Sequence, residues 1–195
     1  MTARIVFAGI LGGILMFVWT SIAHMFLPLG EAGIREIPNE QTVVGAMQTN
    51  IGEKEALFIF PGLGLGENAT RQQRNEAMKG LAAKYASSPS GILMYHPPKP
   101  FEFPKHLGIE FVTELVEALL VVFLLAQTRI AGSGGRIGFA LVAGILAAIT
   151  TNVSYWNWYG FPGVYTASYM FIQIAGFFLI GIAAALVMPK SPMPS

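Results

Sequence analysis

The run His106-Leu107-Gly108-Ile109-Glu110-Phe111-Val112-Thr113-Glu114-Leu115-Val116-Glu117 sets three carboxyls and an imidazole into an otherwise apolar segment. On a helix turning about 100° per residue, His106, Glu110, Thr113, Glu114 and Glu117 fall within one arc of roughly 100°. A stripe of this kind can hold a cation, bind a ligand by hydrogen bonds, or supply a general base. The surrounding sequence is hydrophobic enough to cross a membrane, and at 1.5 Å per residue the last carboxyl lies about 18 Å from the helix start. An ionised side chain near mid-bilayer costs from about 3 to 10 kcal/mol or more, so the stripe must face other helices or a water cavity.

Other segments bring polar groups to the same layer. Thr20, Ser21 and His24 share a helical face with Gly13. Thr151, Asn152 and Tyr155 share one with Ala148, and Tyr169 and Gln173 share one with Gly176. Counted inward from each segment end, His24 matches Glu110 in depth and Asn152 matches Glu114, so His24 and Glu110 are expected to face each other. The candidate binding residues are therefore His24, His106, Glu110, Glu114, Glu117, Asn152, Tyr169 and Gln173. Zinc sites are built from converging imidazoles and carboxylates. His24, His106, Glu110 and Glu114 supply four such ligands, so a divalent metal is one candidate cofactor, although H-x3-E-x3-E is not a recognised metal motif. Hydrogen-bonded polar residues also hold membrane bundles together, at about 0.6 kcal/mol each. A purely structural network is the competing reading, and the number of ionisable groups on one stripe favours function.

A membrane helix needs roughly 20 apolar residues. Four segments of the 195-residue chain qualify: about Ile5–Leu27, Leu107–Ala126, Ile137–Tyr159 and Tyr165–Met188. Small residues at four-residue spacing, such as Gly9 and Gly13, Ala140, Gly144 and Ala148, or Gly181 and Ala185, allow close helix approach in lipid. Arg4, Arg129, Arg136 and Lys190 flank the spans on one side, while the turn Gly160-Phe161-Pro162-Gly163 is uncharged. Cytoplasmic loops collect Lys and Arg, which puts both termini in the cytoplasm. Tyr155, Trp156, Trp158, Tyr159 and Tyr165 form an aromatic belt on the other side. Met1–Ala23 also reads as a signal peptide with Ser21-Ile22-Ala23 as cleavage site; the length of the apolar run favours a span.

Residues from Pro28 to His106 differ in composition, with eight Lys or Arg and eight Glu. Asn39 is expected to cap a short helix holding Val43, Val44 and Met47, and Thr70 a polar helix running to about Tyr85. Ala56–Phe60 reads as a buried strand and Gly91–His96 as a second; an intervening helix would make the two parallel. Two strands do not stand alone in water, so this cap is expected to rest on the helix ends. Pro61-Gly62-Leu63-Gly64-Leu65-Gly66 lacks both the Lys-Ser/Thr of a P-loop and the G-x-G-x-x-G spacing, and reads as a connection. His96 reads as a surface histidine, and Asn68-Ala69-Thr70 matches a glycosylation acceptor that Thr70 explains equally as a cap.

Only 12% of residues are charged and mean hydropathy is +0.55, against about 25% charged in soluble domains. A net charge of +1 gives nucleic acid no basic surface. With no Cys, disulfide scaffolds, thiol relays and Cys-ligated metals are excluded. The segments Ser21-Ile22-Ala23-His24-Met25-Phe26-Leu27-Pro28-Leu29-Gly30-Glu31 and Val153-Ser154-Tyr155-Trp156-Asn157-Trp158-Tyr159-Gly160-Phe161-Pro162 resemble those of small uncharacterised bacterial membrane proteins. That resemblance implies a bacterial inner membrane and brings no activity with it.

The sequence thus predicts an all-α membrane bundle of four transmembrane helices with a small extracytoplasmic α/β cap between the first and second. The expected divisions are 1–27 for the first helix, 28–106 for the cap, 107–188 for helices two to four and 189–195 for a cytoplasmic tail. The expected function is a binding or accessory protein holding a cation or small ligand in a polar layer between cap and bundle. The alternatives are a membrane enzyme using a Glu general base, with or without a metal, and a structural subunit of a larger complex. The expected partners are the bilayer and other membrane proteins or further copies of the chain.

Overall fold

The computed structural model describes residues 3–66 and 68–189. In chain order its elements are α1 (Ala3–Met25), α2 (Glu40–Ile51), β1 (Ala56–Phe60), α3 (Arg71–Lys79), α4 (Leu81–Ser87), β2 (Gly91–Tyr95), α5 (Phe103–Ala126), α6 (Ser133–Ala148), a π-helical turn (Ile149–Val153), α7 (Ser154–Tyr159) and α8 (Gly163–Val187). They form two compact units, residues 1–35 with 101–195, and residues 36–100. The segments 28–35 and 101–106, expected in the cap, therefore belong with the long helices. Ser168 Oγ donates to the Leu29 carbonyl at 2.9 Å, and Gly30 lies so close to His24 that any Cβ would meet the His24 Cα at 2.8 Å.

Three helices are long and apolar enough to cross a membrane: Ala3–Met25, Gly163–Val187 and the continuous stretch Ser133–Tyr159. α5 matches them in length, at 24 residues, but carries Lys105 and three Glu. Within this unit α1 packs extensively on α5 and α8, and α6 packs on α8, whereas α5 barely touches α6 or α8. Glycines set the close approaches: Gly9 meets Leu119, Gly13 meets Leu115, Gly12 meets Ile180, Gly176 meets Met16 and Gly144 meets Phe177. Four-residue steps forward along α1 match four-residue steps backward along α5, from Gly9–Leu119 through Gly13–Leu115 to the edge-on Phe17–Phe111 ring pair at 5.1 Å. The two helices are therefore antiparallel in one unbroken register. Ile5, Ala8, Ala118, Val122, Leu125, Ala140, Ile180 and Ala184 fill the half of the bundle near the α1 N-terminus.

Arg136, expected in a turn, is instead buried in the first turn of α6, at 3% exposure. Its guanidinium donates to the carbonyls of Ala184 at 3.3 Å, Met188 at 2.9 Å and Pro189, which satisfies the open carbonyl end of α8. A planar fork of charged donors fits that task, and the cation also complements the α8 dipole. Lys190 and the remainder of the expected 189–195 tail lie outside the described residues.

In the second unit β1 and β2 pair antiparallel, with Ala56 opposite Tyr95 and Phe60 opposite Gly91, where a parallel pair was expected. The physical reason is a break in the intervening helix. It stops at Lys79 and α4 starts anew after Gly80, so the single crossover helix that the parallel pairing assumed is not formed. Thr70 caps α3 through a full capping box with Gln73. Asn39 holds the cap position of α2 in a left-handed conformation (φ 54°) and makes no side-chain cap, because capping requires extended backbone there. β1 is not buried: Leu57 and Met94, directly paired on one sheet face, are 63% and 66% exposed. On the other face Tyr95 is buried, meets Phe58 edge-on and donates to the Gly52 carbonyl at 3.0 Å.

Candidate ligand-binding cavity

At the end of the helical unit where α1 finishes and α5 and α8 begin, the helices line an open-mouthed cavity of about 560 Å³. Its wall includes every candidate named from sequence: His24, His106, Glu110, Glu114, Glu117, Asn152, Tyr169 and Gln173. All the lining residues belong to the helical unit, so the wall needs no contribution from residues 36–100. The cavity exists because α5 leans on α1 along its whole length but hardly meets α8 or α6, leaving room beside its polar stripe.

Glu114 is the most enclosed of the three carboxyls, at 3% exposure. Side chains on a helix tilt toward its N-terminus, so Glu114 reaches along α5 into the cavity while Thr20 on antiparallel α1 reaches back toward it. The Thr20 side chain lies within hydrogen-bonding reach of the Glu114 carboxyl. The other carboxyl oxygen, Oε2, is buried and has no hydrogen-bond partner among the described residues. Leaving such a group unmade costs about 1–3 kcal/mol, more for a charged group. Glu117 is half-buried and Glu110 exposed, and Glu110 lies near enough to act electrostatically on Glu114, Glu117 and Tyr169.

His24 and Glu110 line the same cavity but form no ion pair among the described residues. The α1–α5 register offsets the two residues along the helix axis. It sets Phe17 against Phe111, which puts Glu110 beside Val18 and leaves His24 about six residues, or roughly 9 Å of helix rise, away along the axis. The equal depth expected from sequence fails because α5 starts at Phe103 and α1 ends at Met25, which shifts both ends. Tyr169 is the ring that meets His24 instead, edge-on at 5.5 Å, and it stacks on Tyr165 at 4.2 Å. His24 Nδ1 lies 2.9 Å from the Thr20 carbonyl, which accepts only, so Nδ1 carries the proton and Nε2 is left for another partner. His106 stacks on Phe101 at 5.1 Å. Among the described residues no three His, Asp or Glu side chains converge on a point where a metal would sit. His24, His106, Glu110 and Glu114 thus share a cavity without forming the ligand set expected of them.

The π-helical turn supplies Thr151 and Asn152. Thr150 Oγ1 donates to the Leu146 carbonyl at 2.7 Å and Asn152 Nδ2 to that of Ala148 at 3.0 Å, bonds of the kind that loosen a helical ladder. Asn152 Nδ2 also lies 3.5 Å from Gln173 Oε1. The wider turn rotates the residues beyond it, so Tyr155 leaves the face it was expected to share with Ala148 and stacks on Phe161 at 5.5 Å. Sequence reasoning also missed the apolar wall of Met16, Phe17, Leu107 and Ile172. Such residues look like ordinary span residues until the packing shows which face they turn to.

In the second unit the Gly-rich connection presents carbonyls, with Lys84 Nζ donating to Gly62 O at 3.1 Å. That is the opposite polarity from an amide cradle for phosphate. His96 pairs with Glu55 at 3.0 Å and Lys99 with the same carboxyl at 3.1 Å. The Lys99 hydrogen bond and charge hold the Glu55 carboxyl below the usual carboxylate range.

No family model, curated protein or solved structure matches this chain. The three apolar helices make it a membrane protein by length and composition.

Proposed function

We propose that the chain is a four-span bacterial inner-membrane protein that binds a cation or small ligand in the cavity between α1, α5, α8 and the π-helical turn. The observation that carries this reading is Glu114, a buried carboxyl with one oxygen unpartnered among the described residues, in a wall that includes two more carboxyls and no Lys or Arg. A thermal-shift series on the detergent-solubilised protein, with divalent cations and ammonium salts, tests the reading. Wild type should be stabilised by a cation that leaves Glu114→Gln unmoved. If no cation moves the wild type, the stripe returns to a structural role.

The fourth span is α5. Its stripe lines the cavity while Val112 and Val116, turned well away from it on the helix, are 56% and 47% exposed, an exterior suited to lipid rather than water. Both termini are cytoplasmic and residues 36–100 extracytoplasmic, supported by Arg4 and Arg129 at one end and the uncharged Gly160–Gly163 turn at the other. A reporter at the C-terminus should read cytoplasmic and one inserted near Ser88 external. Both on one side would overturn the four-span topology. A second role, as a subunit that docks another protein, is favoured by the uncovered Leu57 and Met94 sheet face.

A further inference from the structure

We infer that the ligand of this cavity is an organic primary or secondary ammonium carried on a compact apolar body. This rests on the binding role proposed for the cavity and narrows it. Four observations select that chemistry. A cavity of about 560 Å³ is of the size that takes small organic molecules, and a bare metal ion would leave most of it empty. The carboxyls approach from α5 alone and no three His or Glu converge, so a metal would lack a ligand shell among the described residues. Most of the wall is carbon, with Met16, Phe17, Leu107 and Ile172 around the carboxyl stripe, which suits a ligand with an apolar part. Finally, Glu114 Oε2 is buried without a donor among the described residues, and an ammonium N–H aimed at it would supply one.

These requirements also exclude neighbouring chemistries. A quaternary ammonium has the charge but no N–H, and would leave Oε2 unpartnered. A neutral alcohol has the donor but brings no positive charge to the carboxyl stripe. An amino acid would bring a carboxylate against Glu110 and Glu117, with no Lys or Arg and only the His24 and His106 imidazoles on the wall to meet it. The amino headgroup of a phospholipid shares the ammonium but brings a phosphate, which meets the same difficulty.

Titration calorimetry and thermal shift on the full chain in neutral detergent test this with 2-phenylethylammonium as probe. Saturable binding is expected, with trimethyl(2-phenylethyl)ammonium and 2-phenylethanol each weaker by about tenfold or more, as suits an added charge-assisted hydrogen bond of about 1.5–3 kcal/mol. Glu114→Gln should weaken the probe by about thirtyfold or more, the lower end of what losing one partner of a buried charge pair costs. If that variant does not fold, the three-compound comparison on wild type decides alone. Competition by short-chain phosphatidylethanolamine would assign the ammonium to a lipid headgroup, and its failure to compete would assign it to a free amine. Equal binding of the alcohol or of the trimethyl compound overturns the inference. So does a Glu114-dependent shift by Mg²⁺ or Zn²⁺ without any by the amine, which leaves the cation-binding reading standing. Silence from every probe overturns both.

Discussion

Gly13→Ala is expected to lower the stability of the solubilised protein by about 2–3 kcal/mol, and Gly13→Leu by more, because neither can be accommodated without parting α1 from α5. A Cβ at Gly13 would meet the Leu115 Cα at 2.7 Å, and backbone cannot move aside as a side chain can. Gly9 provides the contrast. Its nearest neighbour is the Leu119 Cδ2 at 2.7 Å, the far end of a flexible side chain. Leu119→Ala should therefore recover part of the loss in Gly9→Ala, while Leu115→Ala should recover little in Gly13→Ala. A double-mutant cycle, read by thermal or denaturant unfolding in detergent, measures both couplings. Stability of Gly13→Ala within about 0.5 kcal/mol of wild type would mean that α1 and α5 do not meet in this register.

Glu114→Met is expected to stabilise the ligand-free protein by about 2–3 kcal/mol. Replacing a buried, incompletely partnered polar group by an apolar one of similar shape removes its desolvation penalty and leaves little unsatisfied, since the Thr20 hydroxyl can turn to a backbone carbonyl. The matching change at the exposed Glu110 should alter stability by less than about 0.5 kcal/mol. The same Glu114→Met protein should lose cation-dependent stabilisation altogether. Gain of stability with loss of binding is the pattern of a residue kept for function. A drop in stability on Glu114→Met would instead show that the carboxyl holds the bundle together.

Much of this arrangement was legible in the residues themselves. Hydropathy and length mark the long helices, because lipid leaves a chain few other ways to satisfy its backbone. Helical periodicity was enough to collect Glu110, Glu114 and Glu117 on one face of α5, and charge cost alone required that face to turn inward. The polar residues of α1 and α8 were placed on the same layer by the same count, and they line the cavity.

What escaped were quantities that depend on where two helices touch. The depth of His24 relative to Glu110 is decided by the Gly9–Leu119 and Gly13–Leu115 contacts, since a helix can slide along its neighbour without changing its own periodicity. The π-helical turn at Ile149–Val153 broke the 100° count and redirected Tyr155. Arg136 read as a loop cation from its sequence neighbours, yet its partners are carbonyls at the far end of the chain. The strand pair reversed because a break at Gly80 outweighs a continuous polar pattern. In each case local sequence specifies the element and its faces. Register, spacing and the open space between elements come from non-local packing, and it is this that leaves one oxygen of Glu114 without a partner among the described residues.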